Sequence, residues 1–272
     1  QEFNSHEFLE VFTDSVKLRS KADVQIGTFL SGGIDSTAII KKLVELSKDI
    51  KSFSVKFTNN NYDESKWFKQ VVKKYNISNE IAEVNSSIDN KYIEKIINDL
   101  DEPYADPSLI PTYKISELIA KKYKVAISGD GGDELLGGYS RMKNHLVKRS
   151  KLKNLYSKLY KTYPPLFGTG TRLKSFSNDF LEAHKSYIED EKLVSLLFDT
   201  HLNSQSGINF IEDKSVYKSV LINEYKYYLS EQMMFKVDRA SMANSLEVRS
   251  PLVDNKLVEY ILNTSHNYIS KD

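Results

Sequence analysis

Between an apolar strand-like segment and an apolar-periodic helix lies Thr28-Phe29-Leu30-Ser31-Gly32-Gly33-Ile34-Asp35-Ser36, and this junction restricts the fold more than any other stretch. Two adjacent glycines let the backbone turn tightly and bring its N–H groups close to a ligand. Ser31 and Ser36 add hydroxyls, and the helix that follows points its positive end at the same spot. A carboxylate at Asp35 would repel bare phosphate. It makes sense where a divalent cation bridges it to a nucleotide polyphosphate, so the stretch implies Mg-nucleotide chemistry.

The surrounding pattern is alternating strand and helix. Apolar positions from His6 to Leu18 fit a helical face, and Val24 to Leu30 reads as a buried strand that delivers the glycine loop. Ile34, Ala38, Ile39, Leu43 and Val44 line the next helix, and Ile50 to Phe57 is a second strand rich in aromatic residues. Strand, helix and strand with short connections predict a right-handed parallel βαβ unit. Asp63 is placed to cap a helix running to about Tyr75, with Trp67, Phe68, Val71 and Val72 inward. Ser78 to Val84 predicts a third strand, and Ser87 to Leu100 a helix with Ile88, Tyr92, Ile93, Ile96, Ile97 and Leu100 on one side. Asp101 to Pro111 carries prolines at 103, 107 and 111 and reads as a stiff acidic loop before a helix from Thr112 to Lys122.

A fourth strand, Lys124 to Ser128, empties into Gly129-Asp130-Gly131-Gly132-Asp133-Glu134 and on to Tyr139, a second glycine-rich acidic loop. Ligands of open α/β sheets bind beyond the carboxyl ends of the strands, so the two loops are expected to wall one site, with Asp35 and Asp133 facing one metal. From Arg141 to Ser230 the chain reads as amphipathic helices dense in Lys and Tyr, with a basic run from Lys148 to Lys153 taken as a solvated helix face. Glu231 to Asp254 crowds Lys236, Asp238, Arg239, Glu247 and Arg249 among Met, Val, Leu and Ala. A helix carrying a partly buried charge network is the expectation there.

Composition removes several classes of function. The 272 residues include 40% hydrophobic ones, enough for a substantial core. The 38 basic and 37 acidic residues leave a formal charge of +1, which carries no footprint of a nucleic-acid binder. Cysteine is absent, excluding disulfides, thiolate metal sites and a cysteine nucleophile within these residues. No apolar run reaches the roughly 20 residues that span a bilayer, so the expectation is a cytoplasmic protein without membrane partners. The five histidines have no ligand spacing, and none is assigned a metal.

Taken together, the blocks resemble one family. Ser31-Gly32-Gly33-Ile34-Asp35-Ser36 is similar to the PP-loop of N-type ATP pyrophosphatases. The blocks 101–111, 128–139 and 236–254 resemble the synthetase domain of glutamine-hydrolysing asparagine synthetases. The fold so implied is α/β: a parallel twisted sheet with helices on both faces, of the Rossmann-like adenine nucleotide alpha hydrolase type, plus a largely helical C-terminal portion. Residues 1–145 would form the nucleotide-binding core, 146–230 a helical region, and 231–272 a helical segment returning to the core.

The resemblance further implies that ATP activates the side-chain carboxylate of aspartate as β-aspartyl-AMP, releasing pyrophosphate, and that ammonia attacks the adenylate. Ser31, Gly32, Gly33, Asp35 and Ser36 would hold the pyrophosphate, and Asp35 with Asp133 would ligate Mg²⁺. The backbone near Phe29 and Val55 would receive adenine. Ser128 and Gly129 would lie against the nucleotide, with Tyr139 grouped among its contacts. Asp130 takes the position of a catalytic glutamate in many members, with an arm one methylene shorter. The family's cysteine-headed glutaminase domain is expected upstream of this chain, and its active-site lysine in a segment beyond Asp272. A homodimer is compatible with this reading. The competing readings are a relative adenylating a different carboxylate, on a surface-sugar or peptide substrate, and an ATP-binding module without turnover.

Overall fold

The computed structural model describes residues 2–46, 49–58, 63–85, 89–100, 102, 104, 106–142, 153–164, 170, 173, 176, 184 and 209–264. By compactness the chain divides into two units, residues 1–132 with 230–263, and residues 133–229 with 264–272.

The first unit is built on a five-stranded parallel sheet: β1 (Ile26–Phe29), β2 (Lys51–Phe57), β3 (Ser78–Val84), β4 (Val125–Ile127) and β5 (Glu247–Arg249). Their order is β3-β2-β1-β4-β5, and every pairing is parallel. From β1 the chain winds outward through β2 to β3, then returns to place β4 on the other side of β1. The strand order therefore reverses between β1 and β4, the position at which open α/β sheets leave a crevice beyond the strand ends. Both glycine loops leave strands that flank this reversal.

Helices α1 (Ser5–Arg19), α2 (Ile34–Glu45), α3 (Ser65–Tyr75), α4 (Asn90–Asn98), α5 (Leu109–Ala120) and the short α6 (Gly132–Leu136) connect or follow the strands. One core cluster joins Phe53 and Ala82 of the sheet, Ala126 of β4, and Ile115 and Ile119 of α5 to Leu246 just before β5. A second holds Ile96, Leu109, Tyr113 and Ala240, which seats the helix Phe235–Met242 on α5. α1 is tied to the end of the unit: Arg19 pairs with Asp254 at 3.2 Å, and the Arg249 guanidinium donates to the carbonyls of Arg19 and Lys21.

Several sequence expectations need correction. Trp67 points outward and is 53% exposed, while Phe68 and Val71 carry the buried face of α3. Asp63 does bind the start of that helix, accepting from the Ser65 N–H and hydroxyl. Ile97 of α4 is likewise exposed. α5 begins at Leu109, so Pro111 falls in its first turn, where a missing N–H has no intrahelical partner to lose. Glu247 and Arg249 are not helical: the helix ends at Met242 and both residues lie on β5, paired to each other at 2.7 Å. Ile88 and the basic residues 148–152 lie outside the described residues.

The second unit contains the helices Lys153–Lys161 and Val216–Asn223, and the π-helical run Glu224–Met234 begins in it and ends among residues of the first unit. Asn223 is fully buried and exchanges hydrogen bonds with the Ile211 backbone, its amide donating to the carbonyl at 2.8 Å and its oxygen accepting from the N–H at 2.9 Å. Among the described residues no helix is long and apolar enough to cross a membrane.

Candidate active site

The loop after β1 folds as its composition dictates. Gly32 sits at φ +89°, and a Cβ there would meet Cβ of Trp67 at 2.7 Å, so both the turn and the close approach of α3 require glycine. The Ser31 hydroxyl accepts from the Gly33 N–H at 3.1 Å and lies 3.1 Å from the Ser36 hydroxyl, which also reaches the Gly33 carbonyl. Gly33 caps α2 without any side-chain hydrogen bond, which leaves the first-turn N–H groups and the positive helix end to a ligand.

The loop after β4 comes directly against this turn. The Cα of Gly129 faces the backbone N of Ser36, where a Cβ would sit at 3.2 Å. Gly132 lies under the Asp35 carboxyl so closely that a Cβ would overlap it. The Ser250 hydroxyl, just past β5, donates to the Asp130 carbonyl and fixes that turn from the other side. Ser128 is 3% exposed, and its hydroxyl has no hydrogen-bond partner among the described residues. A buried orphan hydroxyl is uncommon, and one at a strand end beside two glycine loops is placed to meet a ligand group.

A cavity of about 170 Å³ opens at the same strand ends, lined by Phe29, Leu30, Ser31, Val55, Phe57, Glu64, Pro111, Thr112, Ile115, Asp130 and Val237. Ser31 of the glycine loop and Phe29, Val55 and Asp130, which the family resemblance implies for the site, all line it; Glu64 and the α5 wall were not among the expected residues. Glu64 hides among the acidic residues that begin α3, and Pro111 with Thr112 sits in a stretch that reads as loop. Desolvation raises the Glu64 carboxyl above its ordinary pKa.

Asp133 and Tyr139 belong to the second unit. Asp133 retains exposed surface, yet the surrounding chain withdraws enough water to raise its carboxyl pKa, with Arg141 pulling the other way. The Gly138 N–H donates to the Asp133 carbonyl at 3.0 Å. Tyr139 donates to the buried Glu134 carboxylate, and burial together with that neighbour pushes its hydroxyl pKa up strongly. Arg141 stacks over the Tyr139 ring at 3.8 Å and over Tyr228 at 4.6 Å. It also forks onto the fully buried Glu224 with both carboxylate oxygens at 2.8 Å. Glu134, Tyr139, Arg141 and Glu224 thus form a densely paired polar cluster in which both carboxylates are buried.

Among the described residues no group of three or more His, Asp or Glu side chains could hold a metal.

Asparagine synthetase [glutamine-hydrolyzing] 1 of Bacillus subtilis (strain 168) is 29% identical over 265 residues, covering 91% of this chain and 42% of that protein. A putative asparagine synthetase [glutamine-hydrolyzing] 2 of Methanocaldococcus jannaschii is 40% identical over 129 residues, 46% of this chain and 25% of the relative. The chain therefore spans well under half the length of these relatives. Among solved structures, an NH3-dependent NAD synthetase from Campylobacter jejuni aligns with 83% of this chain and 96% of its own, at 14% identity and a TM-score of 0.39. The family model for asparagine synthase matches residues 7–272, and the chain belongs to that family.

Proposed function

We propose that this chain is the ATP-using synthetase portion of an amide-forming ligase, which adenylates the side-chain carboxylate of aspartate and passes it to ammonia. The observation that carries the reading is the meeting of the two glycine loops, Gly132 against Asp35, with Ser31 of the first loop and Asp130 of the second both lining a largely apolar cavity.

In this reading adenine lies against Phe29, Leu30, Val55 and Phe57, and the polyphosphate runs over Ser31 to Ser36 toward the N-terminus of α2. The substrate carboxylate oxygen attacks the α-phosphorus, the bond to the β-phosphate bridging oxygen breaks, and pyrophosphate leaves with the electron pair. Loop N–H groups, the Ser31 and Ser36 hydroxyls and the helix end stabilise the charge that develops on it. Asp35 and Asp133 are the residues that would hold Mg²⁺, which supplies neutralisation of the leaving pyrophosphate. Ammonia then attacks the acyl carbon and AMP departs. Ser128 donates to the nucleotide through its otherwise unpartnered hydroxyl, and Asp130 faces the reacting groups from the cleft wall. The glutaminase function in the names of the relatives would reside in the portion of those proteins that this chain does not span.

The test is pyrophosphate and AMP formation with ATP, Mg²⁺, aspartate and ammonium. Aspartate-dependent release that disappears in Asp35→Ala is the expected result. Release with another carboxylic acid alone would move the substrate to a different class. Saturable ATP binding without release under any acid would leave a nucleotide-binding module.

A further inference from the structure

The cleft contains one acidic side chain for which adenylation chemistry has no use. Glu64 ends the connection from β2 to α3 and lines the same cavity as Phe57, Val55 and Ser31. A carboxylate at the start of a helix ordinarily spends itself on the first free N–H groups. Here Asp63 performs that task through Ser65, and Glu64 makes no side-chain capping hydrogen bond. Among the described residues no ion pair or hydrogen bond engages its carboxylate, and although the residue is exposed overall, desolvation raises its pKa.

The hydroxyls of the cavity are committed. Thr112 donates its hydroxyl to the Ser108 carbonyl at 2.8 Å, and Ser31 is bonded within the glycine loop. Asp130 lies on the opposite loop, after β4. The apolar strand ends suit a base and the glycine loop suits phosphates, so the segment of ligand between them is the sugar. α3 packs against Gly32 through Trp67 and Phe68, and Glu64 directly precedes that helix while lining the cavity.

We infer that Glu64 is the ribose-recognition residue of the cleft, its carboxylate accepting hydrogen bonds from the 2′- and 3′-hydroxyls, and that it makes the site selective for ribonucleotides. The inference rests on the reading of the cleft as an ATP site. The chemistry is that of any site built to accept from a substrate hydroxyl: an analogue without the hydroxyl leaves the carboxylate partnerless in a partly desolvated wall.

Titration calorimetry of the chain with ATP, 2′-deoxy-ATP and 3′-deoxy-ATP, each with Mg²⁺, tests it, with Glu64→Ala as the variant and its melting temperature as the folding control. The chain is expected to bind ATP roughly tenfold to a hundredfold tighter than at least one deoxy analogue, the range of a charge-assisted hydrogen bond. In Glu64→Ala the ratio is expected to collapse to within about threefold through loss of ATP affinity alone. A ratio unchanged in the variant would overturn the inference, as would equal weakening of all three nucleotides or a shifted Mg²⁺ requirement, each of which assigns Glu64 elsewhere. Absence of ATP binding to the unaltered chain would instead remove the ATP reading itself.

Discussion

Gly132 presses its Cα against the carboxyl of Asp35, joining the loop that follows β4 to the first turn of α2. The contact brings together two glycine-rich stretches almost a hundred residues apart. β1 and β4 are neighbours in the sheet, Thr28 lying opposite Ile127, so the loops that leave them must share the space above.

Gly132→Ala tests that relationship. The added methyl has to displace the Asp35 carboxyl, and overpacking of this kind costs about 1–3 kcal/mol. The expected outcome is a modest drop in melting temperature with at least a roughly tenfold loss of Mg²⁺-dependent ATP affinity, since a small misplacement of a charged ligand is felt strongly. Calorimetry with and without Mg²⁺ reads both, and ATP binding equal to that of the unaltered chain would refute the role given to Asp35.

Ser128→Ala separates a ligand contact from a structural one. The hydroxyl is buried without a partner, so its removal relieves a desolvated polar group and is expected to leave stability within about 1 kcal/mol or to raise it slightly. ATP affinity is expected to fall about fivefold to twentyfold. Urea unfolding and nucleotide titration on the same preparation decide the matter; a destabilised variant that binds ATP normally would show the hydroxyl to be structural.

Alkaline stability follows from Tyr217. Burial pushes its hydroxyl up to about 12, above the ordinary value of 10.0. The folded chain thus holds this proton more tightly than the unfolded one. Its stabilising effect is complete below about pH 10 and is lost as pH rises toward about 12. Discounted for the part of the ring that water reaches, the loss is about 1–2 kcal/mol. Tyr217→Phe is expected to lack that portion of the alkaline decline, measured by urea unfolding at about pH 9 and about pH 11.5. Equal declines in both proteins would assign the effect to other tyrosines.

Local chemistry was readable in the sequence where a short stretch suffices to dictate it. The strand, glycine turn and helix around residues 26–45, the parallel β1 to β3 ladder and the identity of the second loop follow from periodicity, glycine placement and the short crossovers. So does family membership, because the signature blocks are contiguous runs of residues. What the sequence could not settle depends on which surfaces meet. Trp67 is large and apolar yet turns outward, because Phe68 and Val71 already fill the face of α3 against the core. Glu247 to Arg249 looks like the continuation of a charged helix, and becomes a strand only because β4 offers an unpaired edge for it to bind. Glu64 shows nothing in its sequence context that distinguishes it from a solvated acid. Its place in the cleft depends on α3 packing against Gly32, and the orphan hydroxyl of Ser128 on burial beneath two loops, which are relations between distant segments that only the folded chain creates.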